Sequence, residues 1–210
     1  MSSPAGHLIA GLGAYLGATA PGGASKLRSG WVLALVCLMA LIPDLAEILV
    51  RAGGKAAVGG AGRWDVVALM HGVGFGIVAS AALAGMIPGL RSSFWAGALV
   101  LLAGLASHAV LDWATLGGVT WLAPFDWRPA SCGVAILPTA GARVLSYPFL
   151  AAMRIMGIEA GILLPLVWTA WILGRREGLT RSRAWLAAYA MTWPLAGALV
   201  FWTIRRGGSV

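Results

Sequence analysis

Three histidines and three acids stand inside or at the edges of the hydrophobic stretches of this chain: His7, His71 and His108, with Asp44, Glu47 and Asp112. An ionisable group in an apolar span costs a few kcal/mol on insertion scales, so it normally faces the bundle interior, meets a partner and marks a function. For one histidine alone, an interhelical hydrogen bond would be explanation enough. Together the six offer imidazoles and carboxylates, the ligand types of zinc and also of manganese or iron, with positions left open for water. His108 and Asp112, at i and i+4, share one helix face. Asp44 and Glu47, at i and i+3, are likewise neighbours, and Pro43 before them loosens the helix so that a carboxylate can turn inward. The expected ligands are His7, Asp44, His71, His108 and Asp112. Glu47 is expected off the metal, as the carboxylate that orients or deprotonates water. The alternative is a polar interhelical network without metal.

The elements that must position these residues are membrane helices. The 210 residues are 60% hydrophobic and 10% charged, with a mean hydropathy of +0.86, far from the roughly one-quarter charged residues of soluble domains. A bilayer core needs about 20 mostly apolar residues per helix. The pattern predicts an all-α, polytopic transmembrane bundle of about five or six membrane segments, forming one domain over residues 1–210. A short, Gly-rich segment at residues 7–20 is followed by spans at about 31–50, 66–90, 94–111, 158–173 and 185–204. The longest connection, residues 113–157, carries Pro124, Pro129, Pro138 and Pro148, and loops of that length are usually functional or disordered. Within it, residues 147–156 are expected to form an interfacial helix, because Arg154 disfavours a full span.

Following the chain across the bilayer tests whether the polar residues meet. Asp44 lies about 10 Å below the end of its span, and His71 about 8 Å into the next, which enters from the same face. The span at 94–111 returns to that face with His108 and Asp112, and a first span at residues 7–20 puts His7 there too. Five polar residues from four segments therefore converge on one end of the bundle.

The charge of +8 is formal only in its suggestion of nucleic acid, since the 15 basic residues sit mainly between hydrophobic stretches and form no run. They mark helix ends near headgroups, as do several of the eleven Trp, such as Trp31, Trp121, Trp127 and Trp185. The start of the chain lacks the basic region of a cleavable signal. Cys37 in a span and Cys132 in a loop suggest neither a disulfide framework nor a CxxC site.

The stretch from Ser107-His108 through Leu111-Asp112, Thr115 and Gly118, followed by Pro124-Phe125, resembles the SHxxLDxxTxxG...PF signature of the YdjM family of bacterial inner-membrane metal-dependent hydrolases. That family is regarded as related to the zinc-dependent phospholipase C and P1 nuclease group. Gly6-His7-Leu8 resembles the family's N-terminal TH motif, Pro43-Asp44 its PDxD motif, and His71 the histidine of its THS motif. The second acid of PDxD is replaced by Ala46, with Glu47 adjacent, and the block before His71 lacks an upstream histidine, where Asp65 is the nearest substitute. The resemblance covers residues 7 to about 128; the part from 129 to 210 matches only in being hydrophobic.

The resemblance implies a multi-pass protein of the bacterial inner membrane that hydrolyses a phosphoester or a lipid headgroup with a divalent metal, most simply zinc. Thr115, one turn after Asp112, and Ser107 are expected to support the ligands, and Arg128, just past the Pro-Phe corner, to meet a substrate phosphate. Membrane lipid is the expected partner, and nucleic acid is not. A second reading is a non-catalytic subunit or assembly factor that keeps the fold within a membrane-protein complex. Haem held by His71 and His108 and a transport relay are lesser alternatives. Seven basic residues in short loops at the opposite end of the bundle predict that this opposite end is cytoplasmic and that the polar cluster and both termini face outward.

Overall fold

The computed structural model describes residues 2–19, 27–52, 66–139, 147–174 and 183–208. Eight helices are found among them: α1 (Pro4–Ala18), α2 (Gly30–Ala52), α3 (Val66–Met70), α4 (Val73–Met86), α5 (Pro88–Arg91), α6 (Phe94–Trp113), α7 (Phe149–Gly174) and α8 (Arg183–Arg205). The described residues contain no extended strand, only a single bridge between Val119 and Ala130. Asp65 lies outside the described residues.

Four helices, α2, α6, α7 and α8, are long and apolar enough to cross a membrane. The expected five or six full spans are not reached by length among the described residues. At 1.5 Å per residue α1 is about 22 Å long and α4 about 21 Å, against about 30 Å of hydrocarbon. The apolar run expected as one span over residues 66–90 is broken twice. Gly72 adopts an extended conformation (φ −76°, ψ 145°) between α3 and α4, and Pro88 opens α5 after the extended Ile87.

Helix α7 corrects the sequence in another way. The interfacial helix expected at residues 147–156 and the span expected at 158–173 are one continuous helix, so the long connection ends at Pro148. Arg154 does not interrupt it because its guanidinium lies over the Trp202 ring at 5.1 Å from the centroid, near the N-terminal end of the helix. A long cationic side chain reaching the interface from such a position is compatible with a span.

Helix α6 is central. It packs against α1, α2 and α4, while α1 also packs against α2 and α7. Val32, Val36 and Met39 of α2, Ala84 of α4 and Val100, Leu101 and Leu105 of α6 form one buried cluster. Ile158, Ile162 and Leu163 of α7 meet Leu111 and Leu137 in a second. Gly104 sets the closest approach of α6 to α2: a Cβ there would lie 2.6 Å from the Val36 carbonyl oxygen. Small residues permit such contact where lipid supplies no hydrophobic drive between helices. Helix α8 packs on α7 and turns Leu186, Met191, Leu195 and Phe201 outward, as a lipid-facing helix does.

The loop after α6 is tied down at both ends. Cys132 donates its N–H to the Trp113 carbonyl, Ile136 and Leu137 donate to that of Ala114, and Thr139 donates to Gly208 beyond α8. Its middle reaches the break between α3 and α4, where Val73 donates to Trp121 and the Thr120 hydroxyl to Ala68. Irregular backbone at membrane depth is tolerated where protein surrounds it, and a Cβ on Gly72 would lie 2.8 Å from the Ala123 carbonyl oxygen.

Candidate metal centre

The predicted convergence is present. His7 on α1, Asp44 on α2, His71 at the end of α3, and His108 and Asp112 on α6 are all buried. Asp112 is their hub. Its Oδ1 lies 3.4 Å from His7 Nε2, and its Oδ2 lies 3.5 Å from His71 Nε2 and 3.3 Å from His108 Nε2. Asp44 Oδ2 is 3.6 Å from His7 Nε2. The rings of His7 and His108 stack at 3.7 Å, and that of His71 meets His108 edge-on at 4.9 Å.

Two imidazoles have their tautomers set by main-chain carbonyls. His108 Nδ1 lies 2.8 Å from Ala40 O, and His71 Nδ1 2.6 Å from Val67 O. A carbonyl only accepts, so each Nδ1 carries the proton and, in a neutral ring, each Nε2 presents a lone pair. Pro43 removes a rung of the α2 ladder beside Ala40, the helix turn that receives His108. Both Nε2 lone pairs then face the same carboxylate oxygen, Asp112 Oδ2, which when ionised also only accepts.

The separations of 3.3–3.6 Å are longer than charge-assisted N–H···O contacts of about 2.7–2.9 Å and near the ligand-to-ligand edge of a tetrahedral site, about 3.3–3.4 Å for bonds of about 2.0–2.1 Å. His7 Nδ1 and Nε2, His71 Nε2, His108 Nε2, both oxygens of Asp44 and Oδ2 of Asp112 have no hydrogen-bond partner although buried. The ligand atoms of His7, His108 and Asp112 all lie within 4.8 Å of one another, and this buried group can hold a metal ion.

The other site residues divide. Glu47 is buried one turn beyond Asp44 on α2. Thr115 is fully buried, and its hydroxyl donates to the main-chain carbonyl of Asp112 (2.7 Å). The Ser107 hydroxyl turns back to the Gly104 carbonyl (2.7 Å) within its own helix. Arg128 is exposed on the loop and holds Asp126 through its Nε and Nη2, with the shortest contact 2.7 Å. The guanidinium draws the Asp126 carboxyl down to about 2, and Asp126 in turn raises Arg128.

Sequence reasoning missed Glu159. It is fully buried in α7 and accepts from Ser2 and Ser3. The signal was available, an acid inside an apolar stretch, as for Asp44. Starting the span at residue 158 put the acid at an interface, whereas the helix begins at Phe149 and carries it well inside.

The family model for YdjM inner membrane proteins matches residues 1–204. The chain belongs to that family. No curated protein and no solved structure matches it. The match runs through α7 and α8, so the YdjM domain extends well beyond the motif-bearing part at 7–128. An inner-membrane family and four helices able to cross a bilayer agree on a multi-pass membrane protein.

Proposed function

We propose that the protein is a membrane-embedded metal-dependent hydrolase acting on a phosphoester, such as a lipid headgroup, at the membrane interface. The observation that carries this reading is the meeting of acceptor atoms, Nε2 of His71 and His108 with Asp112, at separations suited to shared coordination. Energetics support it. Two aspartates in a membrane helix cost together about 5–7 kcal/mol on insertion scales, comparable to the whole stability of many domains, and a divalent cation offsets that charge directly.

When bound, such a metal supplies Lewis-acid polarisation of the scissile ester and activation of water. Zinc suits the mixed histidine and carboxylate donors best, with manganese and iron as alternatives. His7, Asp44, His71, His108 and Asp112 hold it. Glu47, one turn from Asp44, takes the proton from water as general base. The loop at residues 114–139 limits bulk water over the His71 side, and Arg128 receives a substrate phosphate by exchanging it for Asp126. The hydrolytic activity and its phosphoester substrate rest on the YdjM resemblance together with the donor set.

Metal analysis of protein purified in mild detergent, followed by phosphodiesterase assays on defined lipids, tests the reading. One equivalent or more of zinc or manganese with metal-dependent turnover is expected. Protein that folds but binds no divalent metal overturns it, and metal without turnover on any phosphoester favours the non-catalytic subunit.

A further inference from the structure

We propose that Glu159 is a positioning residue of the metal centre, which clamps the segment before α1 so that Ser2 holds Asp112 and Ser3 places His7. The chain of contacts is continuous. Glu159 Oε1 accepts from the Ser2 hydroxyl at 2.9 Å and from the Ser3 N–H at 2.8 Å, and its Oε2 accepts from the Ser3 hydroxyl. The Ser2 N–H, thus fixed, donates to Asp112 Oδ1 at 2.8 Å. That oxygen is the one facing His7. Ser3 is also the N-cap of α1: its hydroxyl accepts from the Gly6 N–H, and its carbonyl receives the His7 N–H at 3.1 Å.

A carboxylate suits this place because an ionised one only accepts, and three donors converge on it. No cation is needed to justify its burial, since hydrogen bonds satisfy it, unlike Asp44. An independent observation comes from Gly6. A Cβ there would lie 2.6 Å from Ser2 Oγ and 2.8 Å from Glu159 Oε2, so the seat of the clamp depends on a residue with no side chain. The Ser2 N–H orients a ligating carboxylate as outer partners commonly do, and loss of such a partner costs about 10–100-fold in metal affinity. Helix α7, which offers no ligand, thereby becomes part of the site.

The first readout rests on the metal-centre reading; the second does not. Co²⁺ titrated into the full-length protein in detergent reports affinity and, through its visible bands, ligand geometry. Glu159→Leu is expected to weaken Co²⁺ binding about 10–100-fold and shift the bands in a protein that keeps its helical fold, because an apolar residue suits a membrane helix and the freed donors of Ser2 and Ser3 lie before α1. Glu159→Gln, which keeps one acceptor, is expected to fall between it and wild type. A merely structural role would make affinity follow stability, and Glu159→Leu separates the two. Hydrogen exchange of residues 2–7 gives the second readout, with faster exchange expected in Glu159→Leu and none in α2 or α6. Wild-type affinity and unchanged exchange in a folded Glu159→Leu variant overturn the proposal. If wild-type protein binds no Co²⁺, the metal reading fails, and the clamp is decided by exchange alone.

Discussion

Asp112→Asn isolates the charge at the hub of the site with little change of shape. The amide can keep its oxygen on the Ser2 N–H, now 2.8 Å from Oδ1, and turn its NH₂ toward the Nε2 atoms of His71 and His108, now 3.5 and 3.3 Å from Oδ2. A donor then faces two lone pairs, so without metal the variant is expected to be at least as stable as wild type. With metal the order reverses. Loss of an outer partner costs up to about 100-fold in affinity, and loss of a direct ligand costs no less. At a metal concentration 100 times the wild-type Kd, occupancy falls from about 0.99 to about 0.5, and the stabilisation from binding falls from about 2.7 to about 0.4 kcal/mol. The assay is thermal unfolding followed by helical circular dichroism, in chelator and in zinc, with bound metal measured in parallel. If wild-type unfolding is the same in both conditions, or if the variant takes up metal like wild type, the reasoning is refuted.

Glu47→Gln is expected to retain metal and lose about 100-fold or more in turnover, as removal of a general base does; equal turnover would remove Glu47 from the chemistry. Arg128→Ala is expected to raise KM for an anionic phosphoester without lowering metal content, and Asp126→Asn to lower KM by releasing the guanidinium that it now holds. Unchanged KM in both would leave Arg128 a loop cation. A reporter fused after Val210 is expected to be active only when it works outside the cytoplasm, because basic residues in short loops, such as Arg28 and Arg91, are expected to keep the opposite end inside. Activity of a cytoplasm-only reporter would reverse the orientation and the placement of the site with it.

The convergence of His7, Asp44, His71, His108 and Asp112 was legible because hydropathy alone fixes where each stretch enters and leaves a bilayer, and depth follows at 1.5 Å per residue. Helix ends were legible only where composition changes sharply, as at Phe94; the other end of that helix, Trp113, lies two residues past the expected 111. They were hidden where polar groups are satisfied by distant partners. Arg154 looked incompatible with a span until Trp202, far along the chain, supplied its contact. Glu159 was passed over because a span started at residue 158 set it at an interface, whereas the helix begins at Phe149 and its partners Ser2 and Ser3 lie more than 150 residues away. The break at Gly72 was equally unreadable. An apolar run gives no sign that another loop will take over the hydrogen bonds a helix would have made.

That break gives the site its division of labour. His7, Asp44, His108 and Asp112 sit on regular helices packed against one another, and their separations follow from the packing of α1, α2 and α6. His71 alone stands where the backbone leaves the helix, and what fixes it is the loop that begins two residues after Asp112. Thr120 holds Ala68 on one side of the break, and Trp121 holds Val73 on the other. The same loop turns Leu122 and Phe125 outward, 62% and 92% exposed. One segment thus has two faces: its backbone meets the break beside His71, and its apolar Leu122 and Phe125 side chains are exposed. If the proposed metal centre holds, this one short stretch of chain would couple seating at the interface to completion of the donor set, since the backbone that fixes His71 and the exposed Leu122 and Phe125 belong to the same loop.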